Sequence, residues 1–177
     1  LTALDVRSNA LGDGSATLAE AVASNEHIVT FCEIPVKRMR DDALTQLDLK
    51  DRSIGTCGAM VVAPLLEFSR ALTSVNLLNN DLGDGAAAVV AAAKQQGNIK
   101  TLCGIEEGQT EVNLRRKNLK APDAVLLSFD LEFNRALKNA KLAGNNFGDR
   151  GITALSKAIK SNSTLEELDL GWGGGGG

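Results

Sequence analysis

Three loops of this 177-residue chain set glycine beside aspartate ahead of an apolar run: Gly12-Asp13-Gly14, Gly83-Asp84-Gly85 and Gly148-Asp149-Arg150-Gly151. Glycine-rich turns leading into helices can cradle phosphate, but these lack the G-x-x-x-x-G-K-[ST] and G-x-G-x-x-G spacings. They recur at one phase of a repeat, so turn and cap chemistry explains them. Asp13, Asp84 and Asp149 fall where helices begin and are expected to accept from free N–H groups of the first turn. Zinc would need four convergent ligands at tight spacing, and the three cysteines, Cys32, Cys57 and Cys103, do not supply them. Cys32 and Cys103 occupy equivalent places and are expected to be small apolar fillers at strand ends. His27, the sole histidine, has no Ser or Cys partner in its loop, so a nucleophile–base pair has no support. Asn162-Ser163-Thr164 fits the glycosylation sequon, a triplet common by chance. The reading is of a non-enzyme with no metal and no cofactor.

These residues hang on a recurring frame. Leu1-Thr2-Ala3-Leu4-Asp5-Val6 leads to Asn9, Leu72-Thr73-Ser74-Val75-Asn76-Leu77 to Asn80, and Leu137-Lys138-Asn139-Ala140-Lys141-Leu142 to Asn145. A period in the twenties of this form is the mark of a solenoid in which one strand and one helix per coil stack on their neighbours. A longer period overlies it. Residues 71–77 match 136–142 at an offset of 65, and residues 28–34 match 99–105 at an offset of 71, so a group of coils was duplicated. Strands are predicted near 3–6, 30–33, 45–49, 73–77, 100–103, 110–114, 138–142 and 166–170, where apolar residues alternate. Helices are predicted near 14–24, 57–69, 85–96, 122–135 and 150–161. Leu18 and Val22, Val89 and Ala93, Val125 and Phe129, and Ile152, Leu155 and Ile159 have the spacing to pack inward. Pro64 lies deep in its helix, which should kink or restart there. The 16 residues from Ile28 to Leu44 are too few for a full helix, and the stretch after Ile99 is shorter still, so irregular connections are expected near 34–44 and 104–110.

Composition narrows the function. Charged residues make up 23% of the chain and the formal net charge is −3, with no block of like charge, which favours neither nucleic acid nor an anionic membrane. The longest apolar stretches, 59–68 and 86–93, are shorter than the roughly 20 residues a spanning helix needs. An odd, scattered cysteine set points to a reducing, cytoplasmic compartment. Because Leu1 already lies inside a strand motif, an upstream portion is expected in the natural protein. Gly173 to Gly177 is read as a linker or unassigned sequence and set aside.

The segments LTALDVRSNALGDGSATLAEAVASN, LTSVNLLNNDLGDGAAAVVAAA and LKNAKLAGNNFGDRGITALSKAIKSNSTLEELDL resemble the ribonuclease-inhibitor-like subfamily of leucine-rich repeat proteins. The resemblance implies an α/β fold, a leucine-rich repeat solenoid forming a curved right-handed horseshoe segment. Its parallel sheet would lie on the concave face and its helices on the convex face, over residues 1–172 in seven to eight strand units. It also implies that the recurring Asn ties neighbouring turns together through backbone groups. The Asn position reads Arg52 and Lys117 in two matching units, where stacking should be looser or satisfied differently.

Residues alternating with the buried leucines should project from the strand face. They are Ala3, Asp5 and Arg7; Gln46, Asp48 and Lys50; Ser74, Asn76 and Leu78; Glu111, Asn113 and Arg115; Asn139, Lys141 and Ala143; and Glu167 with Asp169. One reading is a solvated face with charges paired across strands. The other is a surface for a protein partner, since repeat solenoids present such faces. Mixed charge and absent aromatics make nucleic acid a poor fit. The resemblance also admits a GTPase-activating regulator like the Ran-activating members, with Arg52, Arg115 and Arg116 in turns beside the sheet, or a ligand-sensing segment of an immune-type receptor. Edges at 1–6 and 165–170, without polar caps, should associate.

Overall fold

The computed structural model describes residues 1–171, so the glycine run and Trp172 lie outside the described residues. Short strands and helices alternate along the chain. The order is β1 (Ala3–Leu4), α1 (Gly14–Ser24), β2 (Thr30–Phe31), α2 (Val36–Arg40), β3 (Gln46–Asp48), α3 (Gly55–Phe68), β4 (Ser74–Asn76), α4 (Gly85–Gln96), β5 (Glu111–Asn113), α5 (Ala121–Phe133), β6 (Asn139–Lys141), α6 (Gly148–Ser161) and β7 (Glu167–Asp169). Strands pair in parallel with one residue of each β-coil above its equivalent in the next, as Leu47 over Val75 and Ala140 over Leu168. The core is the strip between strands and helices. Leu72, Val75, Leu77 and Val89 are fully buried in it, with Leu126 and Leu155 at the same depth.

The sheet is not one continuous ladder. It divides into β1–β2, β3–β4 and β5–β6–β7, and the divisions fall at the two short units. In the first, Phe31 and Ile34 exchange backbone hydrogen bonds of 3.0 and 2.7 Å, with Cys32 and Glu33 left-handed at φ 47 and 67 between them. That tight turn ends β2 after two residues. The connection that follows is not wholly irregular, because α2 occupies it. Arg40, at the end of α2, donates to the carbonyls of Val22 and Ala23 in the last turn of α1 and of Asn25 and Ile28 in the loop after it, at 2.7 to 3.3 Å.

In the second short unit the strand expected at 100–103 is reduced to single bridges, Thr101 with Ser74 and Cys103 with Asn76. A side chain takes over from the missing strand. Asp130 of α5, with no exposed surface, accepts from the Thr101 hydroxyl at 2.5 Å, Leu102 N–H at 2.7 Å and Cys103 N–H at 3.3 Å. Three donors favour the carboxylate, but burial opposes it more strongly and pushes the Asp130 pKa up to about 7.

Coil stacking rests on asparagine. Asn80, 1% exposed, donates back to Leu49 O at 2.7 Å and to Leu77 O at 3.0 Å, while its Oδ1 accepts from Arg52 N–H and Ile54 N–H at 3.0 and 3.3 Å. Asn145 repeats the arrangement with Leu114 O, Leu142 O, Lys117 N–H and Leu119 N–H. Each Asn therefore grips the preceding coil. Arg52 and Lys117 stand in coils that are gripped from the following side, so their backbone is satisfied although their side chains cannot do the same work. Arg52 turns its guanidinium instead to Glu33 at 2.8 Å.

Several local expectations are corrected. Asp13 and Asp84 sit at N-cap positions but make no cap, because their backbone is helical, at φ −65 and −71. A side chain folds back onto the first turn from the extended region. Asp149 lies inside α6, beyond the cap. Pro64 does not restart α3, which runs unbroken from Gly55 to Phe68 with Val61, Val62, Leu65 and Leu66 buried around it. Ile152 and Ile159 do not pack inward; they are 42% and 40% exposed at the end of the stack, and Leu1 and Leu170 are exposed too.

Two stability measurements test this frame. Asn80→Ala leaves several backbone groups unpartnered and should cost about 2–4 kcal/mol in urea unfolding, whereas Asn9→Ala, exposed and bonded only within its own coil, should cost under about 1 kcal/mol. Asp130 has a folded-state pKa above that of an unfolded aspartate, so its contribution is fully present below the unfolded value and is lost as pH rises through about 7. Asp123, raised by burial as well, acts in the same direction. The urea midpoint should fall between pH 5 and pH 8, and Asp130→Asn should flatten that slope; an unchanged slope would refute the assignment.

Candidate partner-binding face

The strand face collects most of the projecting residues, and the structure shows what each is already doing. Asp5, Asp48, Asn76, Asn113 and Asp169 occupy one register at the strand exits. Each accepts, through a side-chain oxygen, the backbone N–H two residues on: Arg7, Lys50, Leu78, Arg115 and Gly171, at 2.9 to 3.3 Å. A short polar side chain bonding its own backbone in this way sets the turn that leads each coil out of the sheet. Their types at this register are thus explained by folding.

Charge pairs account for much of the remainder. Arg7 holds Asp5 at 2.6 Å and also pairs with Glu33. Lys141 holds Glu111 at 2.8 Å, and Arg115 pairs with Asp169. The Arg7 guanidinium holds the Asp5 carboxyl at about 2, and Arg115 depresses Asp169. All but Arg7 with Asp5 cross from coil to coil, and Arg115 and Asp169 lie two coils apart. They leave a face of small net potential, with Gln46, Asp48 and Lys50 in one coil, Ser74 and Asn139 half-buried, and Glu167 exposed.

Leu78 is a correction. It is 1% exposed and belongs to the core, not to the face. Its sequence position matches Arg7, Lys50 and Arg115, and only neighbouring geometry separates it from them. Of the arginines in turns, Arg52 is tied to Glu33, Arg115 to Asp169, and Arg116 is also engaged.

Nucleophilic chemistry finds no support here. All three cysteines are buried and free, and burial pushes each thiol up, Cys103 most strongly. His27 lies exposed in its loop. The sequon Asn162 is occupied, donating to Leu131 O at 2.5 Å and accepting from Thr164 N–H and Leu165 N–H. Asn134 and Gln96 make related bonds at the other helix exits. Sequence reading missed this second polar ladder, although an Asn or Gln three residues before Ile99, Leu137 and Leu165 was its signal.

Among the described residues, no helix is long and apolar enough to cross a membrane. A family model described as leucine rich repeat matches residues 1–17 and 141–156. The chain is 30% identical over 115 residues to RAN GTPase-activating protein 1 of Arabidopsis thaliana, covering 62% of this chain and 20% of that protein. It is 26% identical over 152 residues to Protein CARMIL of Dictyostelium discoideum, covering 69% of this chain and 14% of that one. The chain thus spans a fifth or less of the length of the curated relatives it matches.

The placement of Leu78 can be checked directly. Leu78→Ala should lower unfolding stability by about 2–4 kcal/mol, as a core truncation does. Gln46→Ala, on the open face, should stay within about 0.5 kcal/mol; equal effects would contradict the assignment of one to core and the other to surface. Stacked coils and repeat motifs agree on one architecture, and the fold is that of an α/β leucine-rich repeat solenoid.

Proposed function

We propose that this chain is a protein-interaction scaffold that holds a protein partner against its strand face. The observation that carries this reading is the face itself. Across the coils it presents polar residues on short parallel strands whose coils are tied together by the buried Asn80 and the half-buried Asn145. Most of its charges are mutually paired and no thiol or histidine is poised for reaction, so the arrangement suits binding better than chemistry. Residues that hold strand-exit turns are poor probes, because replacing them would disturb the fold. Gln46, Lys50, Asn139 and Glu167 are better ones. Their combined replacement by alanine should weaken capture of natural partners by about tenfold while leaving the thermal transition in place, and an unchanged partner set overturns the reading.

A second reading is favoured by the similarity to a RAN GTPase-activating protein. In it the chain accelerates GTP hydrolysis by a small GTPase, using a turn arginine such as Arg52 once Glu33 is displaced. Single-turnover hydrolysis by a panel of small GTPases at stoichiometric chain should then rise by about a thousandfold or more. No acceleration, or full activity in Arg52→Ala, removes that role for Arg52.

A further inference from the structure

The duplicated halves solve one loop junction in two different ways. In the later half Asn79 is left-handed at φ 63, and its N–H donates to Asp123 Oδ1 at 2.7 Å. Asp123 also accepts the Lys120 N–H at 2.8 Å, and the Lys120 ammonium reaches Asp81 at 2.7 Å. At the offsets of 71 and 65 that relate the halves, the earlier counterparts are Ser8 for Asn79, Ala10 for Asp81, Gly55 for Lys120 and Gly58 for Asp123. Ser8 has the same φ of 63, yet no acceptor among the described residues takes its N–H.

Where the later half places those side chains, the earlier half has a cavity of about 540 Å³. Ser8 lines it together with Leu11, Ile54, Cys57 and Met60. This is the size range of small-ligand sites, with a mixed lining: an apolar strip along Leu11, Ile54 and Met60 faces polar groups that include the exposed Ser8, Thr56 and the carboxylates of Asp13 and Asp84. The glycine is enforced by the local backbone: a Cβ at Gly58 would stand 2.5 Å from Cβ of Ile54, and Gly55 between them is left-handed at φ 64 where its counterpart Lys120 is extended. The earlier half therefore keeps the donor in its turn and excludes the internal carboxylate.

We propose that this cavity binds a small carboxylic acid bearing an apolar chain, its carboxylate accepting the Ser8 N–H as Asp123 accepts that of Asn79. The chain lies along Leu11, Ile54 and Met60. Asp13 and Asp84 also line the cavity and oppose an anion, while Arg7 is shared with Asp5 and Glu33. Affinity is accordingly of about millimolar order.

The test is titration of the ¹⁵N-labelled chain with hexanoate, hexanol and N-acetylglutamate methylamide, followed through the Ser8 amide resonance. Hexanoate should shift it saturably, and hexanol should bind about tenfold more weakly, for want of a charge-assisted hydrogen bond. Ile54→Leu/Gly58→Asp, which installs the later half's own residues, should abolish the hexanoate response. Ala16→Phe, at an exposed position of α1 that lines the cavity, should do the same by filling it, so the test stands even where the double variant fails to fold. Equal binding of hexanol, no saturation with hexanoate, or full binding in Ala16→Phe overturns the proposal. Tighter binding of N-acetylglutamate methylamide overturns it too, by assigning the cavity to a partner's acidic side chain.

Discussion

A coil that leaves a parallel sheet must turn its backbone away from its neighbours, and the N–H and C=O groups at that turn then need partners inside the stack. Asn80 and Asn145 supply them. One carboxamide both donates and accepts, so a single buried side chain can satisfy carbonyls of its own coil and of the one before while taking two N–H groups across the gap. Without it, the register of one coil on the next would rest on strand ladders only two or three residues long and on apolar contact, which is not directional. Unpaired groups in such a setting cost more than the bonds contribute net. The strand face, the helix layer and the spacing between them all inherit their geometry from this junction.

The duplication shows that the frame tolerates two kinds of short unit because each receives its own polar substitute. The first is closed by α2 and by Arg40 on the end of α1. The second has no helix and is closed from the side by Asp130, whose carboxylate reaches the backbone that a strand would have paired. Leu65 stands where Asp130 does in the other half. The two halves descend from one pattern but have exchanged which polar group is internal. The same exchange at Asp123 and Gly58 leaves one junction filled and the other open.

The frame was legible because burial repeats. Leucines at fixed spacing located each described strand to within two residues, and the helices near 14–24 and 85–96 matched their full extent. What was not legible depended on contacts between residues far apart in sequence. Asp130 reads as an ordinary helix-surface aspartate until Thr101 is seen beneath it. Leu78 reads as a projecting residue because its position in the coil matches Arg7 and Lys50. Asp13 and Asp84 read as caps because their spacing is right, but spacing does not reveal that their own backbone stays helical. For the face, the residue types were found while their roles were not: a register of Asp and Asn looked like recognition and is first of all turn formation.

That distinction bears on how a partner can engage the strand face. Pairs such as Glu111 with Lys141 and Arg115 with Asp169 cancel most of the field a partner would feel from a distance. Steering of encounter is then weak, and association should proceed without a charge-driven gain in rate. Selectivity must arise at contact, where a partner either adds hydrogen bonds to the oxygens left over at Asp48 and Glu167 or displaces one member of a pair and leaves the other to be satisfied. The first route adds little and is tolerant of partner sequence. The second demands a charge placed to replace the one removed, and a rigidly stacked face cannot shift to accommodate a poor match. A scaffold of this construction therefore discriminates by the position of charge on its partner more than by its amount.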